Sequence, residues 1–279
     1  MKVLVTGVSG QLGFDVMREL LARGIEAKGA SRSDFSLTDF AAMRRFVEAH
    51  RPTAIIHCAA YTAVDKAEDE PELCREVNAA ATGELARLAK EIGAKFLYIS
   101  TDYVFPGTGE DFYEPEDEKA PCNVYGESKL LGEEAALEAL EELFIVRISW
   151  VFGENGKNFI KTMLRLAEMH EELSVVGDQI GSPTYTRDLA RLLADMIVTE
   201  KYGVYHATNE GTCSWAELAA EALRCSGKKT RVKAIKTEEY PTKAKRPKNS
   251  RLSKKCLDNA GFSRLPDWRD AVARYVALI

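Results

Sequence analysis

Tyr125 and Lys129 are the pair of side chains in this sequence whose types and spacing most clearly suit chemistry. A helix turns once every ~3.6 residues, so side chains four positions apart share one face and can act on the same small volume. A phenol has an ordinary pKa near 10 and is a weak acid or base at neutral pH. We expect the neighbouring ammonium, together with a positively charged ligand ring in a partly dry cleft, to lower that pKa by about 2 to 3 units. The pair predicts acid–base chemistry, although the same spacing also occurs on solvated helices.

Thr101 adds a hydroxyl to this pair. It follows the apolar segment 95–100, which has the composition of a buried strand. Parallel sheets bind ligands at the carboxyl ends of their strands, so this hydroxyl can donate a hydrogen bond to a substrate oxygen. We therefore predict a catalytic set of Thr101, Tyr125 and Lys129, in which Tyr125 and Lys129 also contact a cofactor.

A glycine-rich turn follows the first apolar segment, residues 2–6, in the pattern G-x-x-G-x-x-G. The first glycine permits a tight turn, the second lets a pyrophosphate approach the backbone, and the third lets the following helix pack closely. Free N–H groups at the helix start face the anion. The pattern predicts a dinucleotide site. Its contacts in this turn are Gly7, Gly10, Gln11, Leu12 and Gly13.

The end of the second predicted strand indicates which dinucleotide binds. NAD-binding folds have an acid about 20 residues after the glycines, whereas this chain has Ser31 and Arg32. A guanidinium and a hydroxyl suit a 2′-phosphate, which favours NADPH, with NADH also possible as a substrate. Ser31 and Arg32 are therefore predicted cofactor contacts. The third strand ends in Ala59, Ala60 and Tyr61, which we predict to form a wall beside the adenosine.

The first half of the chain alternates short apolar segments with longer amphipathic ones, which predicts an α/β fold with a doubly wound parallel sheet of Rossmann type. The expected domains are a dinucleotide-binding domain, residues 1–150, and a smaller α/β substrate-binding lobe, residues 151–279, from which segments near 184–210 return to the first domain. The predicted strands are 2–6, 27–30, 54–58, 95–100 and 143–147, and the predicted helices are 12–23, 39–50, 72–92 and 125–140. His57 lies inside an apolar strand and is interpreted as a core histidine.

Composition excludes several classes of protein. The chain has 279 residues and a net charge of −5 with acids and bases interspersed, which argues against a nucleic-acid partner. Six scattered cysteines indicate neither a zinc site nor a disulfide framework, and a reducing, cytoplasmic location fits them best. No segment approaches the ~20 apolar residues of a membrane span, so no membrane partner is expected.

Beyond these features, the sequence resembles the extended short-chain dehydrogenase/reductase family almost end to end, and within it the reductases of dTDP-linked keto sugars. Several spaced motifs carry the resemblance in the same order along the chain. They are Thr6-Gly7-Val8-Ser9-Gly10-Gln11-Leu12-Gly13, Ala59-Ala60-Tyr61-Thr62-Ala63-Val64-Asp65-Lys66-Ala67-Glu68, Ser100-Thr101-Asp102-Tyr103-Val104-Phe105, Asn123-Val124-Tyr125-Gly126-Glu127-Ser128-Lys129, Arg147-Ile148-Ser149-Trp150-Val151-Phe152-Gly153, Asp178-Gln179-Ile180-Gly181-Ser182-Pro183-Thr184 and Lys245-Arg246-Pro247.

The resemblance implies reduction of the 4-keto group of dTDP-4-dehydro-L-rhamnose to dTDP-L-rhamnose, a step of dTDP-rhamnose biosynthesis for cell-wall polysaccharide. Hydride comes from the nicotinamide, Tyr125 protonates the new alkoxide and Thr101 polarises the carbonyl. Arg246 meets the pyrophosphate of the nucleotide sugar, unless its basic cluster is only a solvated surface. The other implied substrate contacts are Asp102, Tyr103 and Trp150.

Two places depart from the pattern of this family. Where relatives have an acid near the adenine, this chain has Ser36 and Leu37, which we assign to the cofactor site with less specific contacts. Some relatives dimerise through acidic side chains around magnesium, and Asp15 and Asp188 lie at comparable places. Because both are shorter than the usual glutamates, no metal is predicted. The expected state is a monomer or a homodimer.

Other functions on the same fold stay open. A dehydratase needs a pair of carboxylates after the threonine, and Asp102 is followed by Tyr103, so that machinery is incomplete. Another sugar-nucleotide reductase or a 4-epimerase has the same motifs, but an epimerase retains NAD and consumes no net reductant. A non-catalytic NADP-binding subunit, similar to the beta subunit of methionine adenosyltransferase, is the alternative that is not an enzyme.

Overall fold

The computed structural model describes residues 1–279. The strands are β1 Lys2–Thr6, β2 Glu26–Ala30, β3 Ala54–His57, β4 Lys95–Thr101, β5 Leu143–Ile148, β6 Val151–Phe152, β7 Glu172–Val176, β8 Ile180–Gly181, β9 Thr184–Tyr185, β10 Gly203–His206, β11 Asn209–Glu210, β12 Cys213–Ser214, β13 Arg231–Ile235, β14 Asn249–Ser250 and β15 Leu265–Asp267. The α-helices are α1 Gln11–Ala22, α2 Phe40–His50, α3 Val64–Ala67, α4 Pro71–Arg75, α5 Ala81–Ile92, α6 Val124–Ala139, α7 Phe159–Leu166, α8 Thr186–Ile197, α9 Trp215–Cys225, α10 Lys255–Ala260 and α11 Trp268–Val276. A π-helical turn spans Glu76–Ala80, and 3₁₀ turns span Asp102–Val104 and Thr237–Glu239.

Six parallel strands form the central sheet in the order β2-β1-β3-β4-β5-β10. The chain leaves β1 toward one edge for β2 and then crosses to the other side for β3. The strand order reverses at this point, so the carboxyl ends of β1 and β3 enclose a crevice where such sheets bind ligands. The doubly wound parallel fold predicted from the sequence is confirmed.

Apolar layers cover both faces of the sheet. On one face, α1 and α8 pack on the strands through side chains such as Val16 and Leu193. On the other face, α2, α5 and α6 contribute side chains such as Val47, Leu85 and Ala136. Strand β3 is buried along its whole length. The sheet is therefore a rigid platform for the loops at its carboxyl edge.

The chain after residue 150 contributes to two regions. Helix α8 belongs to the core beneath the sheet, and β10 pairs with β5 at the sheet edge. Smaller apolar clusters join α7, α9, α11, β7 and β13 around Trp268 and Leu223. We call this second region the small lobe. A division into two folding domains at residue 150 stays a prediction.

The structure differs from the predicted elements mainly around residue 78. The predicted strands and three of the four predicted helices agree with the observed bounds to within two residues. The predicted helix 72–92 is instead α4, the π turn and α5 in succession. None of the helices combines the length and apolar composition that crossing a membrane requires.

Candidate active site

The loop between β1 and α1 packs Gly7 against the end of β3 and Gly13 against Gly7. Gly7 has a φ of 71°, a left-handed conformation that glycine adopts without strain. A Cβ atom on Gly7 would lie 2.7 Å from the backbone nitrogen of Ala59, and one on Gly13 would lie 2.7 Å from the carbonyl carbon of Gly7. Turn, strand and helix therefore meet at distances that only glycine permits.

Helix α1 starts at this turn without a side-chain cap. Gly10 is the N-cap residue, and no side chain accepts from the first N–H groups. Such groups have no acceptor within the helix and attract anions. The Gln11 side chain accepts a hydrogen bond from Asn158 Nδ2 at 3.0 Å, and Leu12 is buried in the core. The backbone N–H groups of Gln11 and Leu12, rather than their side chains, suit a pyrophosphate.

The turn after β2 contains an acid that the sequence analysis overlooked. Asp34 accepts hydrogen bonds from the N–H and the hydroxyl of Ser31, both at 2.8 Å. These bonds hold the pKa of Asp34 below its ordinary value. Arg32 lies between these residues and is exposed. Its guanidinium forms no ion pair and is open to a 2′-phosphate, and the Asp34 carboxylate is bonded to Ser31 instead.

Ser36 and Leu37 lie between β2 and α2. The Ser36 hydroxyl is exposed and pairs with that of Thr38 at 2.9 Å, whereas Leu37 packs against the core. Neither side chain has the carboxylate that a specific adenine contact would use. Their assignment to the cofactor site stays a prediction.

The segment after β3 is held by hydrogen bonds between the Tyr61 backbone and the Asn78 side chain. The Tyr61 N–H donates to Asn78 Oδ1 at 2.8 Å, and Asn78 Nδ2 donates to the Tyr61 carbonyl at 3.1 Å. The Tyr61 hydroxyl donates to Glu70 Oε2 at 2.8 Å. With Ala59 against the glycine turn and Ala60 beside it, this wall presents mostly backbone and methyl groups. Its contact with adenosine stays a prediction.

His57 is a buried core histidine. Its Nδ1 lies 2.7 Å from the Thr6 hydroxyl, and burial lowers the pKa of His57 to about 3. The ring is therefore neutral at physiological pH, and it takes no part in the chemistry derived below.

Helix α6 delivers Tyr125 to the carboxyl end of β4. Asn123 is the N-cap residue, and its Oδ1 accepts from the Gly126 N–H at 2.8 Å. A Cβ on Gly126 would collide with the Tyr103 carbonyl, so glycine lets the helix start lie against the turn after β4. The rings of Tyr103 and Tyr125 meet edge-on with centroids 5.6 Å apart, and the Thr101 side chain interacts with the Tyr125 phenol. The structure thus brings Thr101 and Tyr125 together.

The direction of the Thr101 hydroxyl is set by Asp102. Thr101 Oγ1 donates to Asp102 Oδ1 at 3.0 Å and accepts from the Tyr103 N–H at 3.3 Å. Burial raises the pKa of Asp102 to about 6, so the group is mostly ionised at pH 7. A carboxylate only accepts hydrogen bonds, and a hydroxyl has one proton to give. Thr101 must therefore turn away from Asp102 before it can donate to a substrate oxygen.

Lys129 is a buried cation whose partners are neutral. Its Nζ donates to the Ile99 carbonyl at 2.6 Å and lies 4.0 Å from the centroid of the Tyr98 ring. Burial lowers the pKa of Lys129 to about 7, and the charge of Glu133 opposes this shift. The amine can therefore gain or lose a proton near neutral pH, which is unusual for a lysine.

In the protein alone the pKa of Tyr125 is raised, and its lowering by a positively charged cofactor stays a prediction. Burial raises the pKa of the phenol above its ordinary value, the nearby Thr101 hydroxyl opposes this, and Asp102 and Tyr103 add to it. The Lys129 amine, one helical turn further along α6, donates to the Ile99 carbonyl. The phenol stays protonated, which suits a proton donor rather than a base.

Asn78 is a site residue that sequence reasoning missed. It lies in the π turn, and its Nδ2 donates to Ser128 Oγ at 2.9 Å. Ser128 in turn donates to the Tyr125 carbonyl at 2.7 Å, and Tyr98 donates to the Asn78 carbonyl at 3.1 Å. Single π turns occur frequently at functional sites. The only signal in the sequence was a polar residue among the alanines of an amphipathic helix.

A buried ion pair behind β4 was also missed. Arg147 donates to both carboxylate oxygens of Glu133, at 2.6 and 2.9 Å, and the Ser100 hydroxyl donates to Glu133 at 2.5 Å. Arg147 also donates to the Pro115 carbonyl at 2.9 Å. The pair ties β4 and β5 to the α6 face that carries Lys129.

Trp150 occupies a strained position between the sheet and the small lobe. Its φ is 48°, which is uncommon for a bulky residue and is frequent at ligand sites. Its ring stacks on Trp215 with centroids 3.9 Å apart. A Cβ on Gly181 would lie 3.0 Å from the Trp150 ring, so the glycine leaves room for it. The structure holds this side chain firmly, and its contact with a sugar stays a prediction.

Arg246 lines a cleft of about 760 Å³ between the loop after Phe105 and the basic loop 242–248. Its guanidinium pairs with Asp65 at 2.6 Å and lies 3.5 Å from the Tyr103 hydroxyl. Asn123 Nδ2 also donates to the Lys245 carbonyl at 2.8 Å. The cleft therefore adjoins the start of α6, and Arg246 is a tethered cation beside the Tyr103 ring.

Asp15 and Asp188 are engaged by arginines. Arg18 pairs with Asp15 at 2.8 Å, and the Thr186 hydroxyl also donates to Asp15. Arg274 pairs with Asp188 at 2.7 and 2.9 Å. No group of three or more acids, histidines or cysteines in the structure could hold a metal ion.

A crevice at the reversal of a doubly wound sheet, with a phenol and a buried amine at the next strand, is the arrangement of the extended short-chain dehydrogenases/reductases, and the chain has the fold of that class. Residues 1–279 match the family model described as RmlD substrate binding domain, and the chain belongs to this family.

Similar proteins are found among both curated sequences and solved structures. The spore coat polysaccharide biosynthesis protein SpsK of Bacillus subtilis is 40% identical, over 99% of this chain and 96% of that protein. The dTDP-4-dehydrorhamnose reductase of Escherichia coli K12 is 40% identical, over 98% of this chain and 96% of that protein. A crystal structure of the Bacillus anthracis dTDP-4-dehydrorhamnose reductase in complex with NADP is 40% identical, covers 100% of both chains and superposes with a TM-score of 0.97.

Proposed function

We propose that this protein reduces the 4-keto group of dTDP-4-dehydro-L-rhamnose with NADPH and forms dTDP-L-rhamnose. The observation that carries the proposal is the position of Tyr125, protonated and beside Thr101 at the carboxyl end of β4, one helical turn before the buried Lys129. Similarity to reductases with this activity supports the substrate.

The glycine turn fits a dinucleotide on its own geometry. The uncapped N–H groups at the start of α1 suit a pyrophosphate, and the exposed Arg32 suits a 2′-phosphate. When bound, the reduced nicotinamide supplies the hydride. The solved relative in complex with NADP supports the choice of NADPH over NADH.

Tyr125 supplies the proton of the reaction. As hydride reaches C4 of the sugar, the carbonyl oxygen becomes an alkoxide, and the O–H bond of Tyr125 breaks to give it a proton. Thr101, turned from Asp102, donates a hydrogen bond to the same oxygen. Lys129 carries the positive charge that stabilises the phenolate left behind. The Tyr125 phenol regains its proton from solvent.

The cleft lined by Arg246 is the proposed site for the nucleotide part of the substrate. Arg246 is placed by Asp65 at the cleft wall, near the start of α6, where it can bind a pyrophosphate in a charge-assisted contact. Trp150 provides a fixed aromatic surface for the sugar. We further propose a cytoplasmic location, which six free cysteines support, and a monomeric or homodimeric state.

Purified protein, NADPH and dTDP-4-dehydro-L-rhamnose test the proposal directly. Nicotinamide absorbance should fall only when the keto sugar is present, and dTDP-L-rhamnose should appear in equal amount. Tyr125→Phe should lower the rate by about 10²- to 10⁴-fold while NADPH binding is retained. Identical progress curves for wild type and variant would remove Tyr125 as the acid. Sugar interconversion without net NADPH consumption would indicate an epimerase instead.

A further inference from the structure

A segment of the chain after Trp150 crosses to the glycine turn. We call residues 153–158 the strap. The Asn155 side-chain amide donates to the Ser9 carbonyl at 2.9 Å and to the Gly10 carbonyl at 3.2 Å. These contacts join positions almost 150 residues apart in sequence. None of the residues assigned to the cofactor or the substrate so far lies in the strap.

Hydrogen bonds to α7 and α11 hold the strap in place. Lys161 Nζ donates to the carbonyls of Glu154 and Gly156, at 2.5 and 3.1 Å. Asn158 Nδ2 donates to the Gly153 carbonyl at 2.9 Å and to the Tyr275 hydroxyl at 2.8 Å, which anchors the strap to α11. Its geometry is therefore set by the small lobe and not by the glycine turn alone.

Glu154 joins the strap to α1. Its carboxylate pairs with Arg18 at 3.0 Å and also with Arg187 of α8. These ion pairs neutralise the one acid of the strap next to an anion site. The strap thus brings no net repulsion to a bound phosphate.

The chemistry of an anion-binding turn explains what Asn155 can do. A pyrophosphate is bound by N–H groups, and any backbone carbonyl that turns toward it repels it. A side-chain amide has two N–H donors and can engage two carbonyls at once. By engaging Ser9 and Gly10, Asn155 fixes the two peptide groups on either side of the Gly10 Cα. The N–H of the first, Gly10, donates to the Gly7 carbonyl at 2.9 Å, whereas the N–H of the second, Gln11, lies at the helix start, where it has no acceptor within the helix.

We propose that Asn155 is a positioning residue for the cofactor: from the small lobe it holds the carbonyls of Ser9 and Gly10 and so keeps the Gln11 N–H, at the start of α1, directed at the pyrophosphate. The inference rests on the proposed function, because it takes the glycine turn as the dinucleotide site. It adds a contribution of the small lobe to cofactor affinity, which the glycine motif alone does not contain.

The test measures the dissociation constant of NADPH by fluorescence titration for wild type, Asn155→Ala and Asn155→Asp. Two lost hydrogen bonds should weaken NADPH binding about tenfold in Asn155→Ala. The carboxylate of Asn155→Asp faces two carbonyls near an anion, and we expect a loss of about a hundredfold. Lys157→Ala, an exposed position of the same strap, is the matched control and should bind as wild type does.

Adenosine 2′-monophosphate, which lacks the pyrophosphate, separates positioning from a general structural role. Its affinity should be equal in wild type and Asn155→Ala, and turnover at saturating NADPH should change less than about threefold. Equal NADPH affinity in the two proteins, or equal weakening of both ligands, overturns the inference, and an unfolding midpoint for each variant shows that folded protein was measured. Failure of wild type itself to bind NADPH would overturn the proposed function as well.

Discussion

Lys129 and Arg147 are two buried cations of the same site, each 2 % exposed, with opposite surroundings. Arg147 has a bidentate carboxylate partner in Glu133, whereas Lys129 has a backbone carbonyl and an aromatic face. Burying an unpaired charge lowers the free energy of unfolding. Removing one partner of a buried ion pair also lowers it strongly, because the other charge is left buried without a partner.

This difference in pairing indicates a structural role for Arg147 and a chemical role for Lys129. Arg147 is matched, so its pair fixes β4, β5 and α6 relative to one another. Lys129 is unmatched, and burial brings its pKa to about 7, which is the kind of perturbation found at sites that do chemistry. The same helix face carries both Lys129 and Glu133, so one element serves both purposes.

The largest effect expected from this comparison is on stability. Arg147→Met leaves Glu133 buried without its cation and should lower the free energy of unfolding by about 3–5 kcal/mol. Urea denaturation measures this value. The double variant Glu133→Leu/Arg147→Met removes both charges and should recover most of the loss. A single variant as stable as wild type would show that the pair is not structural.

The surroundings of Arg246 differ from those of both Arg147 and Lys129, because Arg246 is half-buried and has one acidic partner, Asp65. If it binds the substrate, Arg246→Ala should raise KM for the nucleotide sugar about tenfold or more, at nearly constant kcat, since a charge-assisted contact contributes about 1.5–3 kcal/mol. Steady-state kinetics measure KM and kcat for the nucleotide sugar, with Lys243→Ala as the control. A drop in kcat with unchanged KM would contradict the assignment.

Arg32 is the exposed member of this set of cations. Arg32→Ala should reduce the preference in kcat/KM for NADPH over NADH by about tenfold and leave stability unchanged. Parallel assays with the two cofactors measure the preference. An unchanged preference would mean that the 2′-phosphate does not contact Arg32, and Asp34→Asn would then test whether the neighbouring acid governs the choice.

The pH dependence of the reaction tests whether the charge of Lys129 is used. The Lys129 ammonium is present below its pKa of about 7 and is lost as pH rises through that value. Because the ammonium stabilises the phenolate, kcat/KM should fall above this pH by up to about tenfold per pH unit. Initial rates from pH 5.5 to 9 measure the profile. A flat profile up to pH 9 would show that the charge of Lys129 is not used.

Local patterns of the sequence were sufficient for half of the site. The glycine turn depends on neighbouring residues and a single strand–helix junction, so the spacing of Gly7, Gly10 and Gly13 was enough to predict a turn between β1 and α1. The Tyr125 and Lys129 spacing gave their shared helix face for the same reason. The parallel sheet followed from alternating apolar segments, each of which is buried on both sides.

Contacts between distant segments could not be obtained in this way. The Glu133–Arg147 pair depends on how α6 packs on β5, and Asn155 reaches Ser9 from the small lobe. The π turn at Asn78 packs against α6, a contact that local propensity does not specify. The burial of a side chain could not be obtained from local patterns either, and burial is what raises the pKa of Tyr125 in the protein alone.

The central claim is that the unpaired buried amine of Lys129 is retained for chemistry and not for stability. Lys129→Met fills the same space without a charge, and turnover and unfolding free energy should be measured on the same preparation. We predict that turnover falls at least about a hundredfold while the free energy of unfolding stays within about 1 kcal/mol of wild type or increases. Retained turnover with a stability loss like that of Arg147→Met would contradict the claim.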